Sequence, residues 1–101
     1  MLLRSVDIGL QQPVMMHDCS ITRNYTLILD FPLEFHPKRI VHGSVWYFNT
    51  GRPSRIGVIP RHSSSASDIL WFEFQPCYVF HVINSWEEGD DIVLHACRLP
   101  R

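Results

Sequence analysis

Histidine is the residue type in this sequence with the broadest chemistry, because a neutral imidazole binds metal ions and titrates near neutral pH. Six histidines are present: His17, His36, His42, His62, His81 and His95. None forms a His-x-His or His-x-x-x-His pair, so spacing alone predicts no metal site. We expect the three in polar or proline-containing segments at the surface, and we expect His95 to be a hydrogen-bonded strand residue.

Three carboxylates stand close in sequence to histidines or turn residues. Asp18 directly follows His17, but consecutive residues of an extended chain point to opposite sides, which favours a hydrogen-bonding role over metal ligation. Glu87 and Glu88 could form an acid and base pair. The acidic segment that ends at Gly89-Asp90 is typical of a hairpin turn, however, so we expect both side chains in solvent.

Composition narrows the classes of function. A net charge of -1 and scattered Lys and Arg residues argue against nucleic acid as a partner. Apolar runs are too short for a transmembrane helix of ~20 residues, and no secretory signal pattern is seen, so we expect a protein that is not secreted. Three cysteines without a C-x-x-C pair argue against a disulfide scaffold or zinc site, and we expect them buried.

Alternation of apolar and polar residues with period two predicts an all-β fold. The predicted strands are 25–31, 45–48, 55–60, 69–74, 78–83 and 92–98, and residues 33–42 are predicted as a loop with one helical turn. The segment 85–90 is predicted as the last hairpin turn. The final strand has no evident partner in the sequence, which favours a fragment of a larger sheet assembly over a complete sandwich or barrel.

Four segments carry motifs that occur in a fixed order. Residues 13–22 read P-V-M-M-H-D-C-S-I-T and are followed by N-Y at 24–25 and D-F-P-L at 30–33. Further along, 55–61 reads R-I-G-V-I-P-R, 71–73 reads W-F-E, and 80–88 reads F-H-V-I-N-S-W-E-E. This series resembles the carotenoid cleavage dioxygenase family, and its wording is closest to the plant-type enzymes.

The resemblance implies a seven-bladed β-propeller with Fe2+ on its axis, held by four histidines from different blades. Residues 1–101 would be a partial carotenoid oxygenase β-propeller domain of about two blades. His17 and His81 would be two of the four ligands. Neutral imidazoles suit ferrous iron and leave positions open for O2. The other two histidine ligands, and the glutamates that orient ligand imidazoles, match nothing in this sequence.

The implied activity is iron(II)-dependent cleavage of a conjugated double bond in carotenoids or apocarotenoids, which gives carbonyl products. We expect the isolated fragment to be inactive, because half of the ligands are absent from it. The resemblance also implies a plastid or cytosolic location and leaves open peripheral membrane contact through regions outside this chain. No targeting signal is seen in the 101 residues.

Three residues depart from the family pattern. Cys19 replaces an aromatic residue, and Ser20 and Ser85 replace alanines. Cys19 would alter packing beside the iron or the shape of a substrate tunnel, and so would affect substrate identity. A polyene tunnel could be lined by aromatic residues, although most are expected in the core; these are Trp46, Tyr47, Phe48, Trp71, Phe72 and Phe80.

Two other interpretations remain open. The chain could be a noncatalytic, truncated β-module that associates through its free strand edges. It could also be a small independent metal-binding protein, which would require His17 and His81 to converge with a third ligand such as His95.

Overall fold

A computed structural model describes residues 1–99 of the chain. Its strands are β1 (Ser20–Ile21), β2 (Tyr25–Asp30), β3 (Leu33–Phe35), β4 (Trp46–Phe48), β5 (Ser54–Pro60), β6 (Leu70–Phe74), β7 (Tyr78–Glu88) and β8 (Asp91–Leu99). Two short 3-10 helices span Pro37–His42 and Ala66–Asp68. The all-β class is confirmed. No helix within residues 1–99 is long and apolar enough to cross a membrane.

The main sheet is four-stranded and antiparallel, in the order β1-β2-β5-β6. The alternation in β2 predicts one buried face, but from Leu27 to Asp30 the strand is buried on both faces. On one face Leu29 packs in a cluster with Tyr78 and Val79. On the other face Ile28 packs with Ile59 and Ile69. Because one strand contributes to both clusters, burial of β2 fixes the positions of β5 and of the start of β7 together.

Two smaller antiparallel sheets flank the main sheet: a β3-β4 ribbon and a β7-β8 hairpin. The hairpin closes through the two residues Gly89-Asp90, with Glu88 paired to Asp91. Gly89 has a φ of 57°, a left-handed conformation that glycine adopts without the steric cost of a Cβ atom. Glycine at this position therefore permits the tight turn.

Two boundaries predicted from the sequence are wrong. Residues 33–42 contain strand β3 as well as the predicted helical turn, because β3 pairs with β4 in a short ribbon. The segment 85–90 is not a long turn, since β7 continues to Glu88 and Trp86 pairs with Val93. Glu87 and Glu88 are therefore strand residues. The second half of β7 contains polar residues and so lacks the apolar alternation that predicts a strand. The partners of these polar side chains lie far away in the sequence.

Burial of the six aromatic residues expected mainly in the core also differs from the prediction. None of them is buried; they are Trp46, Tyr47, Phe48, Trp71, Phe72 and Phe80. They lie on β4, on the edge strand β6 and on the bulged part of β7, where one face is left uncovered by residues 1–99. The buried aromatic rings are instead those of Phe31 and Tyr78.

The prediction of three buried cysteines holds for one of them. Cys77 is buried and contacts Ser54, whereas Cys19 and Cys97 are exposed. Cys77 directly precedes β7 and lies inside the packed part of the molecule. The other two lie on surfaces that residues 1–99 leave open.

A buried network of charged side chains joins the end of β2 to β3. Asp30 accepts hydrogen bonds from Arg55 Nη2 at 2.6 Å and from Arg52 Nη1 at 3.3 Å. Arg52 Nε also donates to Glu34 Oε2 at 2.7 Å. The side chains of Asp30 and Glu34 are only 2% and 5% exposed, so each carboxylate depends on these partners for its charge. The network therefore fixes β3 against the main sheet.

The pKa of Glu34 reflects two opposing effects. Burial raises the pKa, but hydrogen bonds from His36, Arg52 and Asn49 outweigh it and hold the pKa below the ordinary value of 4.5. A carboxylate with a lowered pKa in the folded state stabilises the fold above its unfolded pKa. That contribution is lost as the pH falls through the folded value.

We therefore predict that the free energy of unfolding decreases as the pH is lowered from about 5 to about 3, and that Glu34→Gln flattens this dependence. At neutral pH the same substitution should cost about 1–3 kcal/mol, because the bonds to Arg52 and His36 lose their charge. Urea unfolding followed by circular dichroism across this range tests both points. Glu73→Gln, at an exposed position on β6, is the matched control. A Glu34→Gln profile parallel to that of the wild type would contradict the prediction.

Candidate metal centre

The segment that leads to His17 is held in place by β3. Val14 forms an antiparallel bridge with Glu34. Met15 N donates to Leu33 O at 2.9 Å, and Phe35 N donates to Pro13 O at 2.9 Å. Residues 13–16 thus extend the β3-β4 ribbon on its free side. The ion network that anchors Glu34 indirectly anchors the approach to His17.

His81 lies in an irregular part of β7. Val79 pairs with Arg98 and Val82 pairs with Ala96, so two residues of β7 stand where β8 supplies only Cys97. This two-to-one register is a β-bulge, which changes the direction of the local side chains and strengthens the twist. A second irregularity follows between Val82 and Asn84. The bulge places His81 where its ring meets that of His17.

The two imidazoles lie close together, on the exposed side of the chain. Their Nε2 atoms are 3.3 Å apart, and the ring planes are inclined by 70°. A hydrogen bond between them requires that one ring carries the Nε2 proton and the other does not. The same separation fits two ligands of one metal ion: with metal–nitrogen bonds of about 2.1 Å it corresponds to an angle of about 104° at the metal.

No third ligand joins this pair within the part of the chain that the structure describes. Among residues 1–99 no group of three or more His, Cys, Asp or Glu side chains is placed to hold a metal ion. His95, which we expected to be hydrogen-bonded, packs edge-on against the Trp86 ring, with centroids 4.9 Å apart. Within residues 1–99, His95 therefore does not join His17 and His81 as the third ligand that an independent metal protein would require.

Asp18 is a hydrogen-bonding residue, as expected. Its Oδ2 atom accepts from Val82 N at 2.7 Å, and its Oδ1 atom accepts from Cys19 N at 2.8 Å. The hydrogen bond from Val82 N, followed by that from Cys19 N, lowers the pKa of Asp18 below its ordinary value of 3.8. The carboxylate is therefore ionised at neutral pH, with both oxygens occupied by backbone N–H groups.

Further contacts continue along the same boundary, and we call the whole set between residues 15–24 and 78–87 the seam. Tyr78 Oη donates to Met15 O at 2.7 Å. Ser85 Oγ donates to Ile21 O at 2.8 Å. The paired residues are 63 to 65 positions apart throughout, so the two segments run in the same direction. Because β1 and β7 belong to different sheets, side chains make these contacts without a strand ladder.

Comparison with known proteins identifies the chain. The family model described as retinal pigment epithelial membrane protein matches residues 2–101. A carotenoid 9,10(9',10')-cleavage dioxygenase from Crocus sativus is 46% identical over 96 residues. The chain belongs to this carotenoid oxygenase family. Carotenoid 9,10(9',10')-cleavage dioxygenase 1 from Pisum sativum is 45% identical to this carotenoid oxygenase chain.

The aligned region is a small part of each relative. It covers 93% of this carotenoid oxygenase chain but 18% of the Crocus sativus and Pisum sativum proteins. The crystal structure of cobalt-substituted Synechocystis ACO matches with a TM-score of 0.69 and 25% identity, over 82% of this chain and 18% of that one. The fold is therefore a partial carotenoid oxygenase fold, as the motifs predict.

Ser20 and Ser85, the two positions at which the family resemblance led us to expect alanine, lie at one point of the seam. The Ser20 and Ser85 hydroxyls are hydrogen-bonded to each other, and Ser85 is buried. Their positions in the sequence, 65 residues apart, gave no sign of this contact. The seam as a whole was also missed, because it depends on side chains that meet only after both sheets have formed.

Glu87 belongs to the seam and not to a solvated turn. Its carboxylate accepts hydrogen bonds from the backbone and side-chain N–H groups of Asn24, both at 2.8 Å. Hydrogen bonds from the Asn24 and Thr22 side chains lower its pKa. Glu88 instead accepts from Trp86 Nε1 at 2.9 Å and is exposed. The two glutamates therefore have separate structural partners and do not form an acid and base pair.

The paired serines give a prediction for a double-mutant cycle. Ser85→Ala removes the bonds to Ser20 and to Ile21 O and should cost about 1–2 kcal/mol. Ser20→Ala should cost less, because the Ser85 hydroxyl keeps its bond to Ile21 O. The double variant should be about as stable as Ser85→Ala, a non-additivity of about 0.5–1 kcal/mol in urea unfolding. Additive single effects would show that the two hydroxyls are energetically independent.

Proposed function

We propose that this chain is part of an iron(II)-dependent dioxygenase that uses O2 to cleave a conjugated double bond of carotenoids or apocarotenoids to carbonyl products. In this proposal His17 and His81 supply two of four histidine ligands. Residues 1–101 form about two blades of a β-propeller domain. The observation that carries the proposal is the 3.3 Å separation of the two Nε2 atoms, which belong to different family motifs.

The donor set supports a transition metal. Two imidazoles with no carboxylate directed between them suit a divalent ion such as ferrous iron, and Asp18 is occupied by backbone N–H groups. The Synechocystis relative is described as cobalt-substituted, which agrees with a metal-dependent family. Bound ferrous iron would supply activation of O2 for addition to the double bond. His17 and His81 would hold the ion through the Nε2 atoms of their neutral imidazoles.

Apolar surface next to the histidine pair supports a polyene substrate. The Phe80 ring lies 6.0 Å from the His17 ring and 4.6 Å from the Tyr78 ring, measured between centroids. The Phe80 and Tyr78 rings also line an open groove of about 920 Å³, together with Leu33, Phe48 and Leu99. A conjugated hydrocarbon placed there would exclude water from apolar side chains. The names of the plant relatives support a carotenoid as that hydrocarbon.

Other parts of the proposal follow from the family alone. A plastid or cytosolic location and peripheral contact with a membrane stay predictions. The inactivity of the isolated chain is also a prediction, because the remaining ligands would come from sequence that it does not contain.

A noncatalytic role through edge association is the second candidate. On the edge strand β6, Leu70 and Phe72 are 64% and 56% exposed. An uncovered strand edge with large apolar side chains favours pairing with another chain. Light scattering coupled to size-exclusion chromatography tests this role: concentration-dependent association that Phe72→Lys abolishes would support it, and a stable monomer would exclude it.

For metal binding, we predict that the 101-residue chain binds Co2+ weakly under anaerobic conditions and that His17→Ala or His81→Ala lowers the affinity by at least about tenfold. This is a minimum, because loss of a residue that only orients a ligand already costs 10- to 100-fold. Absorption of the Co2+ complex measures the affinity. His95→Ala is the control and should leave it unchanged. Equal affinities in all four proteins would rule out His17 and His81 as ligands.

For activity, we predict that the Fe2+-loaded 101-residue chain does not cleave carotenoids. A chimera in which this chain replaces the matching segment of the Crocus sativus protein should bind Fe2+ and cleave carotenoids. In the chimera His17→Ala should abolish cleavage, while His95→Ala should not. A chimera with native circular dichroism but neither iron nor activity would overturn the proposed function. Cleavage by the isolated chain would overturn its predicted inactivity.

A further inference from the structure

We propose that Asp18 is a positioning residue that sets the separation of the two imidazoles by binding the backbone of the strand that carries His81. The contact is the hydrogen bond from Val82 N to Asp18 Oδ2, at 2.7 Å. Its consequence for metal affinity rests on the proposed function, whereas its consequence for the geometry of the pair does not.

The position of this bond in the sequence is the first argument. Asp18 directly follows His17, and Val82 directly follows His81. One hydrogen bond therefore joins the residues adjacent to both imidazoles. A change in the length of this hydrogen bond would shift both imidazole rings, because each histidine is the direct neighbour in sequence of one of the two bonded residues. No seam contact other than that of the histidines themselves lies so close to both rings within residues 1–99.

The β-bulge is the second argument. A bulge disturbs the ladder and leaves local backbone groups without regular partners. Val82 lies between two register shifts of β7, so the strand alone does not define its orientation there. The Asp18 carboxylate has two acceptor oxygens, and one of them accepts the Val82 N–H. The β7-β8 ladder does not fully restrain the backbone next to His81. Asp18, from another part of the chain, supplies the missing restraint.

The orientation of the carboxylate is the third argument. Cys19 N donates to Oδ1 while Val82 N donates to Oδ2, so each oxygen has a fixed role. With both oxygens held, the carboxylate cannot turn toward the imidazoles and compete for a metal ion. Asparagine has the same shape but only one acceptor oxygen, so it can satisfy one of these two donors and not both.

Glu87 provides a matched control. It is also a carboxylate that joins the same two segments, and it also accepts a backbone N–H, that of Asn24. It lies at the far end of the seam, six positions beyond His81 in β7. If Asp18 acted only by holding the seam together, Glu87→Gln would disturb the imidazole pair to the same extent.

The experiment compares Asp18→Ala, Asp18→Asn and Glu87→Gln with the wild type in the full 101-residue chain. Without metal, NMR measures the nuclear Overhauser effect between the His17 and His81 Hε1 protons and the shift of the Val82 amide proton. Co2+ titration then measures affinity. Asp18→Ala should lose the Overhauser effect, move the Val82 amide upfield and lower Co2+ affinity about 10- to 100-fold. Asp18→Asn should show smaller changes in the same direction, and Glu87→Gln should match the wild type.

The outcomes separate this proposal from the proposed function. An unchanged Overhauser effect in Asp18→Ala, which removes both acceptor oxygens, would overturn the positioning role. So would a loss of the effect in Glu87→Gln equal to that in Asp18→Ala. If His17→Ala binds Co2+ as tightly as the wild type does, the proposed metal-binding role of His17 fails. The metal-free NMR comparison still decides whether Asp18 positions the imidazoles.

Discussion

At the seam, residues 15–24 and 78–87 lie side by side as two extended segments, but no ladder of backbone hydrogen bonds joins them. Peptide and polar groups there require other partners, and side chains provide them at Asp18, Ser85 and Glu87. Ladder hydrogen bonds would permit a slip of register by whole residue pairs, whereas individual side chains fit one alignment only. That alignment is the one in which His17 meets His81.

Apolar burial and polar contacts contribute differently to this arrangement. Phe31 and Tyr78 share one buried cluster, and each contributes about 1.5–3 kcal/mol when removed from water. A seam hydrogen bond contributes about 1 kcal/mol. Burial therefore brings β7 to β2, but it tolerates small shifts along the strand. The weaker polar contacts then select the register, and the Asp30 network holds β3 and the approach to His17 rigid.

Sequence alone predicted the strands that alternate cleanly. Strands β2 and β5 were predicted to within one residue at each end, because apolar residues face two packed clusters and prolines end them. Strand β3 was missed because its three residues, Leu33–Phe35, are too few to establish a period and have a proline on either side. The end of β7 was missed because the bulge shifts the alternation, and because the side chains of Ser85 and Glu87 have their partners across the seam and not in an apolar core. The histidine pair was predicted from motifs, since spacing gave no signal.

The contact between Ser20 and Ser85 makes the effect of a substitution at one position depend on the residue at the other. With alanine at 20, the Ser85 hydroxyl would still have Ile21 O as a partner. With alanine at 85, the Ser20 hydroxyl would face a methyl group in a half-buried place. The two positions are therefore epistatic, and loss of the hydroxyl is better tolerated at 20 than at 85.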